Sequence, residues 1–260
     1  MTNNCSSEPG RHVVILAGGK GVRLRPYTTC IPKPLVPIGD EMSILEIVMR
    51  QLRHYGFRKA TLAIGHLGHI IRAFIGDGSQ WDIEVDYFFE ETPLGTMGPL
   101  VAMLDRLPEH FVAMNGDILT DLDYGAVLDR HIAGGAPLTV ATYERQVNID
   151  FGVLELAGPN VTAFTEKPTL SYSVSMGVYG VSRDTLMPYA PGEALGFDSV
   201  MLDLLKAGRT PQSYAFDGYW LDIGRPEDYE RANLEFPKLR RALLPERVIA
   251  AETPLHMVAA

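Results

Sequence analysis

A glycine-rich stretch near the amino terminus could bind phosphate. Residues 15–25 read ILAGGKGVRLR, in which three glycines fall within four positions after an apolar run, and two arginines follow. One interpretation is that the stretch is simply a tight turn between a strand and a helix, because glycine accepts positive φ angles at low cost. A phosphate-binding loop would use the same glycines to bring bare backbone N–H groups close to an anion. Both interpretations are open on this stretch alone.

A lysine between two prolines follows the loop. Pro32 and Pro34 restrict the backbone on either side of Lys33, which limits the positions that its side chain can take. With Arg23 and Arg25, Lys33 forms a basic cluster in a chain whose formal net charge is −9. A solvated loop lysine is the plainer interpretation. The cluster favours an anionic small molecule as ligand, and the negative net charge argues against a nucleic-acid partner.

Alternating strand and helix patterns must position these residues. Strands are predicted at 12–17, 59–64, 83–88, 110–114, 138–143 and 176–182, and helices at 43–55, 67–76, 96–107, 193–207 and 226–235. The alternation is typical of an α/β fold with a Rossmann-like, doubly wound, mostly parallel or mixed sheet. Ligands bind such sheets at the carboxyl ends of the strands. Gly18, Glu90 and Asp117 follow the first, third and fourth predicted strands, so we expect them to lie at one edge.

The pattern changes from about residue 150 to short β segments and turns, which predicts a small β-rich insertion on the functional face of the sheet. We expect a polar leader over 1–11 and one domain over 12–236, with halves at 12–145 and 146–225. Residues 237–260 could pack as a terminal helix or serve as the contact of a homo-oligomer such as a dimer.

Composition limits where the protein is expected to act. The chain has 260 residues, 46% of them hydrophobic, which suits one large α/β domain. Cys5 and Cys30 lie far from any metal-ligand spacing, and so few cysteines are typical of a reducing cytoplasm. The sequence contains no apolar stretch of 18 residues, and residues 1–12 lack the apolar core of a signal peptide. We therefore expect a soluble cytoplasmic protein without a membrane partner.

The glycine stretch also forms part of a longer motif. Gly18-Gly19-Lys20-Gly21-Val22-Arg23-Leu24, followed by Lys33-Pro34, resembles the signature of the sugar-phosphate nucleotidylyltransferases. It lacks the Gly-Lys-Ser/Thr ending of a Walker P-loop. Four later stretches match that family in order: EETPLGTMGPL at 90–100 for base recognition, MNGDIL at 114–119 for metal binding, FTEKP at 164–168 for the sugar phosphate, and YWLDIGRPEDY at 219–229 for a second metal carboxylate. The resemblance covers about residues 12–235.

The resemblance implies that a sugar 1-phosphate attacks the α-phosphorus of a nucleoside triphosphate and expels pyrophosphate. Mg²⁺ is the expected cofactor, held by Asp117 and Asp222, because it typically takes one or two carboxylates plus phosphate oxygens. The plainer interpretation of Asp117 is a turn or helix cap. Three groups of site residues are expected: catalytic Arg23, Lys33, Asp117 and Asp222; nucleotide-binding Leu16, Ala17, Gly18, Gly19, Gly21, Arg23, Glu90, Gly95 and Thr96; and sugar-phosphate-binding Asn115, Gly152, Glu166, Lys167, Ser175 and Gly177.

No histidine is needed as a general base, because a phosphate dianion is already a competent nucleophile. We expect His54, His66 and His131 to be surface residues or hydrogen-bonded helix residues.

Glu90 bears on the choice of nucleotide. Family members that bind uracil or thymine usually carry an amide at the matching position, whereas a carboxylate can accept from both N1–H and N2–H₂ of guanine. PLGTMGPL also most resembles the mannose-1-phosphate guanylyltransferase-like branch. GTP is therefore the favoured substrate, with UTP, dTTP, CTP and ATP as alternatives. Glu90 could instead point to solvent and leave base recognition to Glu91 or the backbone.

The sugar is less defined by the sequence. Where family members often carry Asn-Ala-Gly, this chain has Ser175-Met176-Gly177, which puts mannose 1-phosphate in doubt and leaves heptose, deoxysugar or pseudo-sugar phosphates open. A catalytically inactive sugar-nucleotide-binding regulatory protein is the alternative of another class. Such proteins usually lose the loop arginine, the lysine or a metal aspartate, all of which this chain retains.

Overall fold

A computed structural model describes residues 10–40 and 42–244. Strands β1 to β13 span Arg11–Ala17, Pro37–Ile38, Met42–Ser43, Phe57–Ile64, Glu84–Phe89, His110–Asn115, Ile118–Thr120, Leu138–Asn148, Val153–Ala157, Asn160–Thr165, Thr169–Ser182, Gln212–Phe216 and Trp220–Asp222. Helices α1 to α6 span Ile44–His54, Gly68–Ile75, Gly98–Ala102, Tyr124–Gly134, Phe197–Lys206 and Pro226–Leu243. Cys5 lies outside the described residues, and Cys30 is an exposed free thiol.

Seven strands form one central sheet in the order β12-β8-β11-β6-β1-β4-β5. β1 pairs in parallel with β4 and β6, and β4 pairs in parallel with β5. β11 runs antiparallel to both of its neighbours, β6 and β8. The prediction of an α/β fold with a mostly parallel sheet is confirmed, and β11 makes the sheet mixed.

Helices cover both faces of this sheet. Apolar residues of α1, α2 and α4, including Leu52, Ile71 and Val127, pack against one face. Residues of α3 and α5, including Leu100 and Val200, pack against the other. Because β1 lies between two parallel strands and under both helix layers, its run VVILA is almost wholly buried, which explains a continuous apolar stretch instead of an alternating one.

Several helices differ from the predictions. The helix predicted at 96–107 is divided into α3 and a 3₁₀ turn at Leu104–Arg106, and at its start the N–H groups of Met97 and Gly98 donate to the carbonyl of Leu195. The helix predicted at 193–207 begins only at α5, after Gly196 in extended conformation. α4 was not predicted, although its boundaries carry ordinary signals: Asp123 accepts a hydrogen bond from Ala126 N–H at 2.9 Å, and Gly135 ends it in the left-handed region.

The last helix extends further than the bounds predicted for it. α6, predicted at 226–235, continues through Pro237 to Leu243, so residues 237–243 pack as the end of this helix. Phe236, Leu243 and Leu244 are buried in a third apolar cluster, and this packing outweighs the missing N–H of the proline. Residues 245–260 lie outside the described part of the chain.

The β-rich segment predicted from about residue 150 forms an arm. β8 and β11 pair from Thr142 and Ser175 out to Asn148 and Thr169, and the chain between these two outer ends forms the antiparallel hairpin β9–β10. We refer to residues 143–175 as the arm. Among the residues that the structure describes, no helix combines the length and apolar character needed to cross a bilayer.

Phe236→Ala is expected to lower the free energy of unfolding by about 3–5 kcal/mol, since it empties a buried aromatic site. Phe236 is 1% exposed and packs so closely on Gly39 that a Cβ there would overlap its ring. Urea unfolding measures the change. Leu234→Ala is the matched control, because Leu234 lies on the same helix but is 78% exposed. A similar loss in both variants would contradict the role assigned to the cluster.

Candidate active site

A cavity of about 830 Å³ opens at the carboxyl ends of β1, β4 and β6. All nine predicted nucleotide-binding residues line it, together with Lys33, Asn115 and Asp117. Residues to which the sequence analysis gave no binding or catalytic role also line it: Pro34, Gly65, His66, Pro93, Gly116 and Gly224. The strand ends therefore bring the amino-terminal motifs to one place, as parallel strands should.

Backbone shape explains the glycines of the loop. A Cβ on Gly18 would overlap Oε1 of Glu90, so a side chain there would displace the carboxylate. Gly21 adopts φ +59°, and its carbonyl accepts a 2.7 Å hydrogen bond from Thr28 Oγ1. A Cβ on Gly65 would lie 2.9 Å from the carbonyl oxygen of Gly18. Gly65 directly follows β4, and that position was the available sequence signal for its role.

Lys33 and Asp117 form a close ion pair beside the cavity. Lys33 Nζ lies 2.5 Å from Asp117 Oδ2, and only 10% of the lysine side chain is exposed. The second carboxylate oxygen, Asp117 Oδ1, is buried and has no hydrogen-bond partner. The lysine is therefore held by a charge partner, which its flanking prolines did not reveal.

A short strand pair brings Asp222 next to Asp117. β13 pairs antiparallel with β7, so that Asp222 is opposite Ile118, and Ile223 N–H donates to the carbonyl of Asp117 at 3.1 Å. A Cβ atom added to Gly224 would lie 3.8 Å from Arg23 Nη2 and also 3.8 Å from Asp222 Oδ2. The side chains of Arg23 and Asp222 therefore converge at Gly224, near the Lys33–Asp117 pair.

The two carboxylates fit a divalent cation. Loss of solvation raises the pKa of Asp222, and the neighbouring Asp117 carboxylate raises it further, while Lys33 and Arg23 oppose the shift. A cation would offset this repulsion and would satisfy the orphaned Oδ1 of Asp117. Within 10–40 and 42–244, no group of three or more His, Cys, Asp or Glu residues is placed to hold a metal. Further ligands would therefore have to come from water or from bound phosphates.

Glu90 is half-buried and turned into the cavity. Its Oε2 accepts a 3.1 Å hydrogen bond from Leu94 N–H, and its Oε1 faces Gly18. Burial raises the pKa of the carboxyl group, and the Leu94 hydrogen bond opposes the shift. Glu91 is exposed and also lines the cavity.

The segment after Glu90 is fixed by residues that precede α5. Met97 and Gly98 both donate their N–H groups to the carbonyl of Leu195, at 2.9 and 3.2 Å. Thr96 Oγ1 accepts from Phe197 N–H at 2.8 Å, and a Cβ on Gly95 would lie 2.6 Å from the Leu195 carbonyl oxygen. Thr96 thus lines the cavity and holds the start of α5. No local pattern at 94–98 points to the distant segment 195–197.

The other predicted sugar-phosphate residues do not line this cavity. Gly152 lies against Phe164 and Glu166, since a Cβ there would overlap the ring and lie 3.1 Å from Glu166 Oε2. Lys167 is exposed and has an unusual positive φ of 43°. These three expected residues belong to the arm.

Ser175 and Gly177 lie where the arm joins the sheet. Gly177 has φ +76°, and a Cβ on it would lie 2.6 Å from Asn115 Nδ2, so this glycine connects the arm to the cavity wall. Ser175 Oγ accepts from Gly177 N–H at 3.2 Å and donates to Tyr179 OH at 3.3 Å. The serine hydroxyl therefore stabilises the local turn.

The three histidines differ in their surroundings. His131 is fully buried, with Nδ1 hydrogen-bonded to Thr139 Oγ1 and Nε2 to Ser182 Oγ. Burial lowers the pKa of His131 to about 4. His54 and His66 are both exposed. His66 also lines the cavity, and its backbone N–H donates to the carbonyl of Gly18 at 3.3 Å.

Comparison with known proteins agrees with this architecture. The family model described as "Nucleotidyl transferase" matches residues 12–238. The chain is 30% identical over 224 residues to D-glycero-alpha-D-manno-heptose 1-phosphate guanylyltransferase of Aneurinibacillus thermoaerophilus, covering 85% of this chain and 96% of the relative. It is also 30% identical over 241 residues to UTP–glucose-1-phosphate uridylyltransferase of Synechocystis sp., covering 84% of this chain but only 61% of that longer relative.

A solved structure is also similar over most of its length. HddC from Yersinia pseudotuberculosis matches with a TM-score of 0.68 and 27% identity, covering 87% of this chain and 99% of that one. The same protein complexed with GMP-PN matches with a TM-score of 0.67. The family match extends over the glycine loop, both clustered aspartates and the arm, and this chain belongs to the nucleotidyl transferase family.

Proposed function

We propose that this protein is a sugar-1-phosphate nucleotidylyltransferase. A phosphate oxygen of the sugar 1-phosphate attacks the α-phosphorus of a nucleoside triphosphate, the bond to the bridging α–β oxygen breaks, and pyrophosphate leaves with that electron pair. The observation that carries the proposal is that Arg23, Lys33 and Asp117 line the glycine-loop cavity, while Asp222, which does not line it, lies beside them at Gly224. Membership of the family supports the same reaction.

The basic residues have distinct roles in this proposal. Arg23 stabilises the charge that develops on the bridging oxygen, and backbone N–H groups of the glycine loop hold the triphosphate. Lys33 is close enough to the carboxylate pair to contact the α-phosphate or the departing pyrophosphate. Lys167, in the proposed sugar-phosphate half, holds the sugar phosphate in line for attack. His131 takes no part, because it is buried with both ring nitrogens hydrogen-bonded.

Asp117 and Asp222 are proposed to hold Mg²⁺. When bound, the ion neutralises phosphate charge and so lowers the repulsion between two anionic substrates. Asp117 would use its buried Oδ1, which has no hydrogen-bond partner, and Asp222 would contribute from the paired strand.

The exposed free thiol of Cys30 suits a reducing cytoplasm as the place of action.

GTP is the proposed nucleotide. Glu90 turns a carboxylate into the cavity, where guanine would present two donors on one edge. The guanylyltransferase relative and the similar structure complexed with GMP-PN support this choice. The uridylyltransferase relative has comparable identity, so UTP is the competitor that the experiment must include.

Glu90→Gln is expected to lower kcat/KM for GTP, with a loss of about 1–3 kcal/mol of transition-state stabilisation, because one guanine donor would then face an amide N–H₂. The same change should improve the use of UTP or dTTP relative to GTP, since glutamine can both donate to and accept from a pyrimidine. The measured quantity is the ratio of kcat/KM values for GTP and UTP. Glu91→Gln is the comparison variant, because Glu91 also lines the cavity and is the alternative base reader, and its ratio is expected to stay constant. A ratio that stays constant in Glu90→Gln, or that moves towards GTP, would exclude Glu90 from base recognition.

The sugar is proposed to be a heptose, deoxysugar or pseudo-sugar 1-phosphate in preference to mannose 1-phosphate. Ser175 carries one short hydroxyl, which already accepts from Gly177 N–H and donates to Tyr179 OH, so it offers a sugar less than an asparagine amide would. The similarity to a heptose 1-phosphate guanylyltransferase supports heptose 1-phosphate among these three.

A two-way screen tests the proposal. Five nucleoside triphosphates are combined with a panel of sugar 1-phosphates in the presence of Mg²⁺, and pyrophosphate release is measured. We expect the largest kcat/KM with GTP and a sugar other than mannose. Binding of sugar nucleotides by calorimetry without turnover of any pair would instead support the inactive regulatory protein.

A further inference from the structure

The short β7–β13 pair carries the second carboxylate of the site. Only three residue pairs join these two strands. Asp222 is opposite Ile118 at one end of the pair, and Thr120 belongs to the pair at the other end. A two-stranded pair of this length is marginal by itself. The contacts that the pair makes with the rest of the domain therefore decide where Asp222 lies.

Apolar packing fixes this pair only in part. Leu119 and Leu221 are buried in the third apolar cluster, which determines the side of each strand that faces the core. Apolar contacts have no preferred direction, however, whereas a metal-ligating side chain has to be held to within about 0.5 Å. Directional hydrogen bonds are needed for that precision.

The side chains of Thr120 and Asp121 bind the backbone of Tyr219, the residue before β13. Thr120 Oγ1 donates to the Tyr219 carbonyl at 2.6 Å, and Asp121 Oδ1 accepts from Tyr219 N–H at 2.8 Å. Asp121 N–H also donates to that carbonyl, at 3.3 Å. Both polar groups of the Tyr219 backbone are therefore held by residues 120–121, and we call these three hydrogen bonds the Tyr219 clamp.

Two further contacts support the Tyr219 clamp. Gln51 on α1 is 1% exposed and donates from Nε2 to the carbonyl of Thr120 at 2.7 Å, so the clamp is tied to the body of the domain. A Cβ on Gly218 would lie 2.6 Å from Asp121 Oδ1, so glycine leaves the space that the carboxylate occupies. Neither Thr120 nor Asp121 lines the cavity, so direct contact with a nucleotide there does not explain them.

We propose that Thr120 and Asp121 are positioning residues for the metal site, because the Tyr219 clamp holds β13 so that the Asp222 carboxylate stays beside that of Asp117. The inference rests on the proposed function, in which both aspartates hold Mg²⁺. The two carboxylates are close enough to interact, and like charges repel each other when no cation lies between them. The clamp opposes this repulsion before the metal binds.

A hydrogen bond at the far end of the strand pair reports on the clamp. Ile223 N–H donates to the carbonyl of Asp117 at 3.1 Å, beyond Asp222 and away from Tyr219. A contact that mattered only locally would leave this hydrogen bond intact when it is removed. If the clamp holds the whole strand, its loss should weaken the hydrogen bond of Ile223 as well.

Amide exchange of the ligand-free full-length chain tests this without any substrate. Asp121→Ala should speed exchange of the Ile223 amide at least about 10-fold relative to amides of β1, as measured residue by residue by NMR. Thr120→Val keeps the shape of the side chain but lacks the donating hydroxyl, so it should act in the same direction. Asp121→Asn should behave like wild type, because its amide oxygen can still accept from Tyr219 N–H.

Asp123→Ala is the matched control for a purely structural effect. Asp123 lies close by in the chain and also accepts a backbone hydrogen bond, from Ala126 N–H at 2.9 Å, but it caps α4. Its loss should lower stability as the loss of an ordinary helix cap does. The exchange rate of the Ile223 amide relative to β1 should not change.

Metal dependence supplies a second measurement. The Mg²⁺ concentration for half-maximal pyrophosphate release should rise at least about 10-fold in Asp121→Ala and Thr120→Val, because loss of the residues that orient a metal ligand weakens metal affinity. Asp121→Asn and Asp123→Ala should stay near wild type. Native exchange at Ile223 in Asp121→Ala, or a native Mg²⁺ requirement, would overturn the inference. A wild type that is inactive with every substrate pair would count against the proposed function alone, since the exchange experiment still decides about the clamp.

Discussion

Asp117→Asn is expected to reduce turnover by about 10³-fold or more, equivalent to about 4 kcal/mol of lost transition-state stabilisation. An amide is an uncharged and weaker ligand, and Asp117 supplies the buried oxygen that lacks a protein partner. Asp222→Asn should cause a loss of the same order. Pyrophosphate release at saturating and limiting Mg²⁺ measures both, with Asp129→Asn as control, since Asp129 is exposed and pairs with the distant Arg11.

The two variants should differ in stability when no ligand is bound. Asp117→Asn leaves the nearly buried Lys33 without its charge partner, so its melting temperature should fall. Asp222→Asn removes a carboxylate whose pKa is raised by lost solvation and by Asp117, so its melting temperature should be unchanged or higher. Near-native turnover of either variant at limiting Mg²⁺ would show that its assignment as a metal ligand is wrong.

Arg23→Ala is expected to lower kcat by about 10²–10³-fold and to change KM for the triphosphate much less. Arg23 follows the glycine loop and reaches the point where Asp222 and Gly224 meet, so it is placed for charge that appears as the bridging oxygen departs. An interaction made mainly in the transition state acts on kcat and not on uniform binding.

Steady-state kinetics with varied GTP separate the two parameters. Arg25→Ala is the matched control, because Arg25 is exposed on the same loop and does not line the cavity. A variant of Arg23 that changes only KM would be a binding residue and not a catalytic one.

Local sequence patterns predicted much of the fold and part of the candidate site. Continuous apolar runs predicted the strands, because a parallel strand buried on both faces has no polar side to alternate. Because Gly18, Glu90 and Asp117 each follow a strand that is predicted to be parallel, all three are expected at the same edge of the sheet. The sequence could not reveal that Glu90 Oε1 occupies the space where Gly18 would carry a Cβ.

Helix boundaries show where local signals were insufficient. The sequence predicted a helix that ends at Glu235, but buried contacts of Phe236 and Leu243 carry α6 on through Pro237. α3 begins at Gly98, where its first amides donate to the carbonyl of Leu195, which lies far along the chain. In both cases tertiary contacts, which have no local pattern, determined where the helix begins or ends.

The sequence by itself determined the chemistry available to this protein: a glycine loop, basic side chains and two aspartates, each beside a strand. Only the tertiary structure decided which of them meet. The pairing of β7 with β13 brings Asp222 to Asp117, and the ion pair selects Asp117 as the partner of Lys33. Periodicity and backbone preference act over a few neighbouring residues, whereas these pairings depend on packing between segments far apart in the chain.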